Sequence, residues 1–276
     1  MNDALIVSLL SIVPKSLGSK LQGVVGRSGL SRHIIRWYAD RYGVNTDEMV
    51  GTLDDYPSLQ EFFVRPLKPG LRPIDPGVDS LVSPADSRVY AFGQVQDDGH
   101  LPPDAGLDFD VVKLVGGDPR YKGGQFAVLY LSPKDYHRVH HPVDGHVTRW
   151  HYLPGNFWPV FEAATKEIEG LFAVNERLTV FVDTQSAGRV AVVLVAAYGV
   201  GRMTCEHCDV VTNTDGQERS EDLSIPQPAQ RGQELGRFNL GSTVILVTEP
   251  GALEWELTRD DDVKVGQRIA RILGGA

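Results

Sequence analysis

Apolar positions along the chain follow two regimes. Before residue 45 they are helical: a ten-residue apolar stretch, 4–13 (ALIVSLLSIV), stops at Pro14. A second run begins at Ser31, a residue suited to an N-cap, carries Ile34, Ile35, Tyr38 and Tyr42 on one stripe, and ends at Gly43. From about residue 78 the pattern changes to short β-rich runs separated by Gly, Pro and Asp: QFAVLYL (125–131), LTVFVDT (178–184), RVAVVLVAA (189–197) and STVILVT (242–248). Between the regimes, residues 54–75 (DDYPSLQEFFVRPLKPGLRPID) hold Pro66, Pro69, Pro73 and Gly70, which end any helix and make an extended connector. The expected division is therefore a helical region with its connector over 1–75 and a β-rich domain over 76–276. Residues 212–231 have no apolar period and read as a long surface loop.

A chain of 276 residues, 42% hydrophobic and 23% charged, is long enough for about two domains and too apolar for disorder. Its net charge of −9 argues against a nucleic-acid binder, which needs a basic surface. The charge is uneven, however. Residues 1–45 carry Lys15, Lys20, Arg27, Arg32, Arg36 and Arg41 against Asp3 and Asp40, a net +4, which leaves −13 on the other 231 residues. Ten apolar residues are too few to span a bilayer, and the flanks of that stretch do not fit a secretory signal. An apolar helix followed by a basic aromatic one suits a protein lying on an anionic lipid surface. It equally suits an amphipathic pair packed on its own domain, and local sequence leaves both readings open.

The predicted fold is α+β, mainly β, with a β-sandwich or barrel core behind the helical start. Pro84, Asp86 and Val89 echo Pro142, Asp144 and Val147 in the spacing P-x-D-x-x-V, and 263–269 (VKVGQRI) has a turn common in small biotinyl- or lipoyl-like sandwich barrels.

Three groups of residues could carry chemistry. His137, His140, His141, His146 and His151 crowd into residues 136–151. Imidazole clusters can bind metal, but no H-E-x-x-H or carboxylate-rich partner accompanies this one, so acid/base work is favoured and no metal is assigned. Cys205 and Cys208 flank His207 in a C-x-x-C that gives at most three metal ligands and lacks the thioredoxin-like context of a redox motif; two ordinary thiols on a turn is the preferred reading. Gly241-Ser242 opens an apolar strand. A nucleophilic serine needs a base and a carboxylate from elsewhere, and His140 and Asp86 supply those residue types.

Taken in order, SLQEFFVRPLKPGLRPID (58–75), SPAD (83–86), YLSPKDYHRVHHPVDG (130–145), LFAVNERL (171–178) and GRFNLGSTVILV (236–247) resemble the phosphatidylserine decarboxylase family in its bacterial, membrane-associated form, over nearly the whole length. The resemblance implies a precursor that cuts itself between Gly241 and Ser242 into a β chain, 1–241, and an α chain, 242–276, of 35 residues. Ser242 becomes a pyruvoyl group, the covalent cofactor, which forms a Schiff base with phosphatidylserine and accepts the electrons released with CO2, yielding phosphatidylethanolamine. Asp86 and His140 would serve Ser242 during processing, and His137 would supply the proton during decarboxylation. The resemblance also favours the lipid-surface reading of residues 1–45: a peripheral protein on the cytoplasmic side of the cell membrane, its partners the phospholipid, the anionic surface and its own two fragments, with a homodimer compatible. Ser87 stands where the family usually has Gly, so the backbone there must avoid a Gly-only conformation. The rival readings are an uncleaved Asp86-His140-Ser242 hydrolase, a pyruvoyl decarboxylase of a small soluble amino acid, and a biotinyl- or lipoyl-type carrier, although neither echoed turn carries the lysine a carrier needs.

Overall fold

The computed structural model describes residues 26, 28–160, 162–197, 202–210, 212, 213, 216–239 and 242–274, with residues 162, 163, 166 and 242 described in their main chain only. The apolar stretch 4–13, most of the basic amino terminus and Gly241 therefore lie outside the described residues. The chain is mainly β. Its strands are β1 (Ser80–Val82), β2 (Ser87–Gln94), β3 (Gln125–Leu131), β4 (Arg138–His140), β5 (Gly145–Leu153), β6 (Arg177–Asp183), β7 (Arg189–Ala196), β8 (Met203–Cys205), β9 (Arg219–Ala229), β10 (Glu234–Phe238), β11 (Ser242–Thr248), β12 (Leu253–Trp255), β13 (Asp262–Val263) and β14 (Arg268–Ile272).

Eight of them form one antiparallel sheet in the order β13-β2-β3-β11-β7-β6-β5-β9; β1-β14-β12 and β4-β10-β8 form two smaller sheets, and none of the three closes into a barrel. The four longest apolar runs of the sequence become β3, β6, β7 and β11, because β-branched and aliphatic side chains buried on both faces leave no polar alternation to display. Val244, Ile245, Leu246 and Val247 of β11 are fully buried, each worth about 1.5–3 kcal/mol of apolar burial. The echoed turns occupy matching places: one leads into β2 and the other into β5, and β2-β3-β11 mirrors β5-β6-β7 across the β11/β7 seam.

Two expectations need correction. Residues 219–229 are a strand, not part of a loop; β9 pairs with β5 along the sheet edge, where an almost fully exposed strand needs no apolar period and Pro226 and Pro228 are tolerated. Ser31 is not an N-cap. It lies inside a 3-10 helix, Gly29–Ile34, where its buried hydroxyl donates to the Ser28 carbonyl (2.8 Å) and accepts the Leu59 amide (2.9 Å), tying this segment to the connector.

Helix α1 (Ile35–Tyr42) continues that 3-10 helix and stops where expected, at Gly43, whose φ of +68° favours glycine. Helix α2 (Leu59–Phe63) is capped by Ser58, whose Oγ accepts the Glu61 amide. The two helices share a small core of Ile35, Tyr38, Met49, Tyr56, Phe62 and Phe63, separate from the large core between the sheets. The Tyr38 hydroxyl donates to Pro133 O (3.0 Å) and Arg138 Nε donates to Val64 O (2.9 Å), so this small core is clamped onto the β3–β4 connection and the start of β4.

Candidate active site

The candidate residues converge around the short strand β4. On one side the His140 amide donates to Pro84 O (2.8 Å), drawing in the segment that carries Asp86. On the other, β4 pairs with β10, which runs toward residue 242; Phe238 donates its amide to His137 O (3.0 Å), so His137 stands opposite a residue four places before Ser242. Ser242 opens β11, its backbone paired with Leu131 of β3 and Ala196 of β7. Strand register thus brings the Asp86 segment to His140 and sets His137 opposite the end of β10, whereas His140 pairs with Glu234 at the start of β10.

Asp86 is almost wholly buried, at 1% exposure. Its carboxylate accepts from Arg72 Nε (2.9 Å) and Nη2 (2.5 Å), from the Val265 amide (3.0 Å) and from Lys264 Nζ (3.3 Å). Burial pushes its pKa up, but these hydrogen bonds and charges outweigh it and hold the carboxyl below its ordinary value. Arg72 is shared with Glu48 (2.6 Å). A direct Asp86–His140 hydrogen bond, the orienting contact of a hydrolase-like triad, is not made among the described residues. Two cations and an amide occupy the carboxylate, and His140 Nδ1 donates instead to the Gly232 carbonyl (2.8 Å). Asp86 acts on both His140 and His137 through its charge, which favours their protonated forms.

His140 and His137 are built alike. Each Nδ1 faces a carbonyl, Gly232 O for His140 and Asp135 O (2.9 Å) for His137, so each Nδ1 carries the proton and each Nε2 is left as acceptor. Both Nε2 atoms are buried without a partner among the described residues, as is Thr243 Oγ1. Burial lowers the pKa of His140 and pushes that of His137 to about 3, so both rings are neutral at neutral pH. The Phe63 ring lies 4.0 Å from that of His137, centroid to centroid.

The other histidines serve elsewhere. His141 Nε2 and His207 Nε2 share a hydrogen bond (2.8 Å), His151 Nε2 meets Glu218 (2.7 Å), and His146 is exposed on β5. Among the described residues no group of three or more His, Cys, Asp or Glu side chains is arranged to hold a metal ion. Cys205 and Cys208 form a single antiparallel bridge at the end of β8, both as free thiols. Ser87 has no positive φ; it takes an ordinary extended backbone at the start of β2, as its departure from Gly requires.

A sequence model described as phosphatidylserine decarboxylase matches residues 59–271, a span that contains Asp86, His137, His140 and Ser242. The chain belongs to that family. Its relatives include the phosphatidylserine decarboxylase proenzymes of Anaeromyxobacter sp. (strain K), 42% identical with all of both chains covered, and of Myxococcus xanthus, 39% identical over 99% of this chain and all of the relative. That of Brevibacillus brevis is 37% identical over 98% of this chain and 99% of its own.

Within this decarboxylase-family fold, the sequence reading missed Arg65, Arg72, Lys264 and Gly232. Arg65 and Arg72 lie in the stretch read as a mere connector, and an Arg beside each Pro-rich turn was the available signal. Gly232 contributes only its carbonyl, which no side-chain pattern reveals.

Proposed function

We propose that this protein is a self-processing phosphatidylserine decarboxylase that forms phosphatidylethanolamine and CO2. The observation that carries the reading is the pair of buried Nε2 acceptors of His137 and His140, unpartnered among the described residues, at the strand that pairs with β10, inside the span matched by the family.

For processing, His140 Nε2 takes the hydroxyl proton of Ser242, while the Gly232 carbonyl fixes its tautomer and Asp86 stabilises the imidazolium that results. The Ser242 oxygen bonds to the Gly241 carbonyl carbon as the peptide C–N bond breaks, giving an ester. Loss of the residue 242 Cα proton then breaks the Cβ–Oγ bond with the residue 241 carboxylate as leaving group, and addition of water to the unsaturated terminus releases ammonia and leaves a ketone on residue 242. The site's residues fit a pyruvoyl group there: three buried polar atoms, His137 Nε2, His140 Nε2 and Thr243 Oγ1, lack a partner among the described residues. Such a group supplies an electrophilic carbonyl and an electron sink for the loss of CO2. His137 is neutral, so it delivers a proton only after taking one; its Nε2 accepts from the incoming ammonium and returns the proton to the carbon that loses CO2.

The amino terminus supports a lipid-borne substrate. Leu30, Ile34 and Trp37 are 79%, 43% and 60% exposed on one line of the helical segment, next to exposed Arg32, Arg36 and Arg41. An apolar ridge rimmed by guanidinium groups suits the boundary of an anionic membrane, on which this protein sits peripherally on the cytoplasmic side. Among the described residues no helix is long and apolar enough to cross a membrane.

Intact mass spectrometry under denaturing conditions tests the processing. Two fragments divided before residue 242, the smaller bearing a ketone in place of its amine, are expected; one unmodified chain from active protein overturns the reading. Release of CO2 from phosphatidylserine in mixed micelles tests the substrate.

A further inference from the structure

Arg65 is only 3% exposed, yet its charge is poorly compensated. Nη2 donates to the carbonyls of Lys134 (2.9 Å) and Asp135 (3.3 Å), whereas Nε and Nη1 are buried with no partner among the described residues. Among the described residues no carboxylate lies within salt-bridge distance of it; besides the two carbonyls it has the face of the Phe62 ring, 5.2 Å away, and the more distant charges of Asp135 and Asp86. A buried cation that lacks a counter-ion is costly, so an anion supplied from outside the chain is the natural completion.

Arg65 lines a cavity of about 180 Å³ together with Arg72, Lys134, Lys264, Glu48 and Asp86. Arg72 is neutralised by Glu48 and Asp86, and Lys264 leans on Asp86. The carboxylate of Asp135, also on the wall, is occupied by the amide and hydroxyl of Ser132. Arg65 and Lys134 are left as the lining cations without a carboxylate partner among the described residues. A planar fork and an ammonium on one small wall suit a phosphate oxyanion.

We propose that this cavity binds the phosphodiester of the lipid headgroup, an inference that rests on the phosphatidylserine reading above. Size restricts the ligand to the headgroup, and position selects the phosphate over the carboxylate of that headgroup. The cavity is smaller than the roughly 300 Å³ at which drug-sized sites begin, so it takes a headgroup fragment and no acyl chain. It also lies between two landmarks. Gly43, at the end of the helix that exposes Trp37, is on its wall, and the Asp135 carbonyl held by Arg65 also holds His137 Nδ1. Glycerol, phosphate and amino acid follow one another in the lipid in the same order as membrane-facing helix, cavity and His137 in the protein.

The test uses full-length, self-processed protein. Binding of inorganic phosphate is followed by 31P line broadening, and turnover of phosphatidylserine in mixed micelles by released CO2, in wild type, Lys134→Gln and Arg65→Lys. Lys134 is exposed, so its variant folds even if the buried Arg65→Lys does not. Phosphate should compete with the lipid in wild type, and Lys134→Gln should weaken phosphate binding and raise KM about tenfold each, equivalent to about 1.4 kcal/mol. Phosphate that binds Lys134→Gln as tightly as wild type, or that binds wild type without competing with the lipid, overturns the assignment. If phosphate binds through Lys134 but wild type releases no CO2 from phosphatidylserine, the anion site stands and the proposed substrate falls.

Discussion

Arg65 and His137 share one acceptor, the carbonyl oxygen of Asp135, at 3.3 and 2.9 Å. The carbonyl can only accept, so it fixes the proton of His137 on Nδ1 and leaves Nε2 free, while Phe63 closes on the ring. The FFVRP stretch of the sequence is thus the cradle of a candidate catalytic histidine.

The two histidines should separate by mutation. His140→Ala, like Asp86→Ala and Ser242→Ala, is expected to stay a single chain on a denaturing gel. His137→Ala should cleave normally and lose 10²–10⁴-fold in decarboxylation, the usual worth of a positioned acid or base. Full turnover by His137→Ala would remove it from the mechanism.

Processing should slow in acid. His140 works as a neutral base and burial lowers its pKa, so the rate should hold from pH 8 to 7 and fall only below the ordinary histidine value of about 6.5. A time course of fragment appearance against pH reads this directly, and a midpoint above 7 would contradict it.

Stability should follow the same sign. His137 and His141 are both pushed to about 3 by burial, so the unfolded chain binds their protons first. Their contribution is complete above about pH 6.5 and is lost as pH falls toward 3, with a slope of about 1.4 kcal/mol per pH unit for each ring. Urea midpoints at pH 7, 6 and 5 should decline accordingly; a flat series would exclude neutral burial of these two rings.

Gly266→Ala should destabilise by about 1–3 kcal/mol. Its φ is +85°, and an added Cβ would stand 2.6 Å from both the Pro73 carbonyl oxygen and Ile74 Cδ1. Because Val265 next to it donates to Asp86, processing should slow as well, which thermal unfolding and gel densitometry together would register.

On anionic vesicles, Trp37→Ser and Arg36→Gln should each weaken binding, the latter about fivefold for the roughly 1 kcal/mol of one interfacial cation. Co-sedimentation at two salt concentrations checks it. Equal binding by both variants would place the lipid contact elsewhere.

Legibility in the sequence followed burial. β3 and β11 begin and end at the residues their apolar runs mark, because both are central and their side chains have no other place to go. β9 was illegible, since an exposed edge strand is held by main-chain bonds to β5 and asks nothing of its side chains. The helical stripe was half right. Ile35 and Tyr38 are buried as expected, but Ile34 and Tyr42 are largely exposed, and the second apolar line shows only once the helix is docked. At the site, residue types named Asp86, His137 and His140 as candidates, but the partners Arg65, Gly232 and Lys264 depend on residues 70, 92 and 178 positions apart meeting in three dimensions, and Arg72 reaches Asp86 across a Pro-rich turn 14 positions away.

The position of β11 has a mechanical consequence. It runs through the middle of the eight-stranded sheet, laddered to β3 over Ser242–Thr248 and to β7 over Ser242–Val247. A break in the backbone just ahead of it frees an end but not a piece: the shorter fragment remains interwoven with the longer one and could leave only by tearing open both flanks of the sheet. Cutting this chain would be topologically silent, a change of covalent connectivity that a gel under denaturing conditions sees and the folded protein does not.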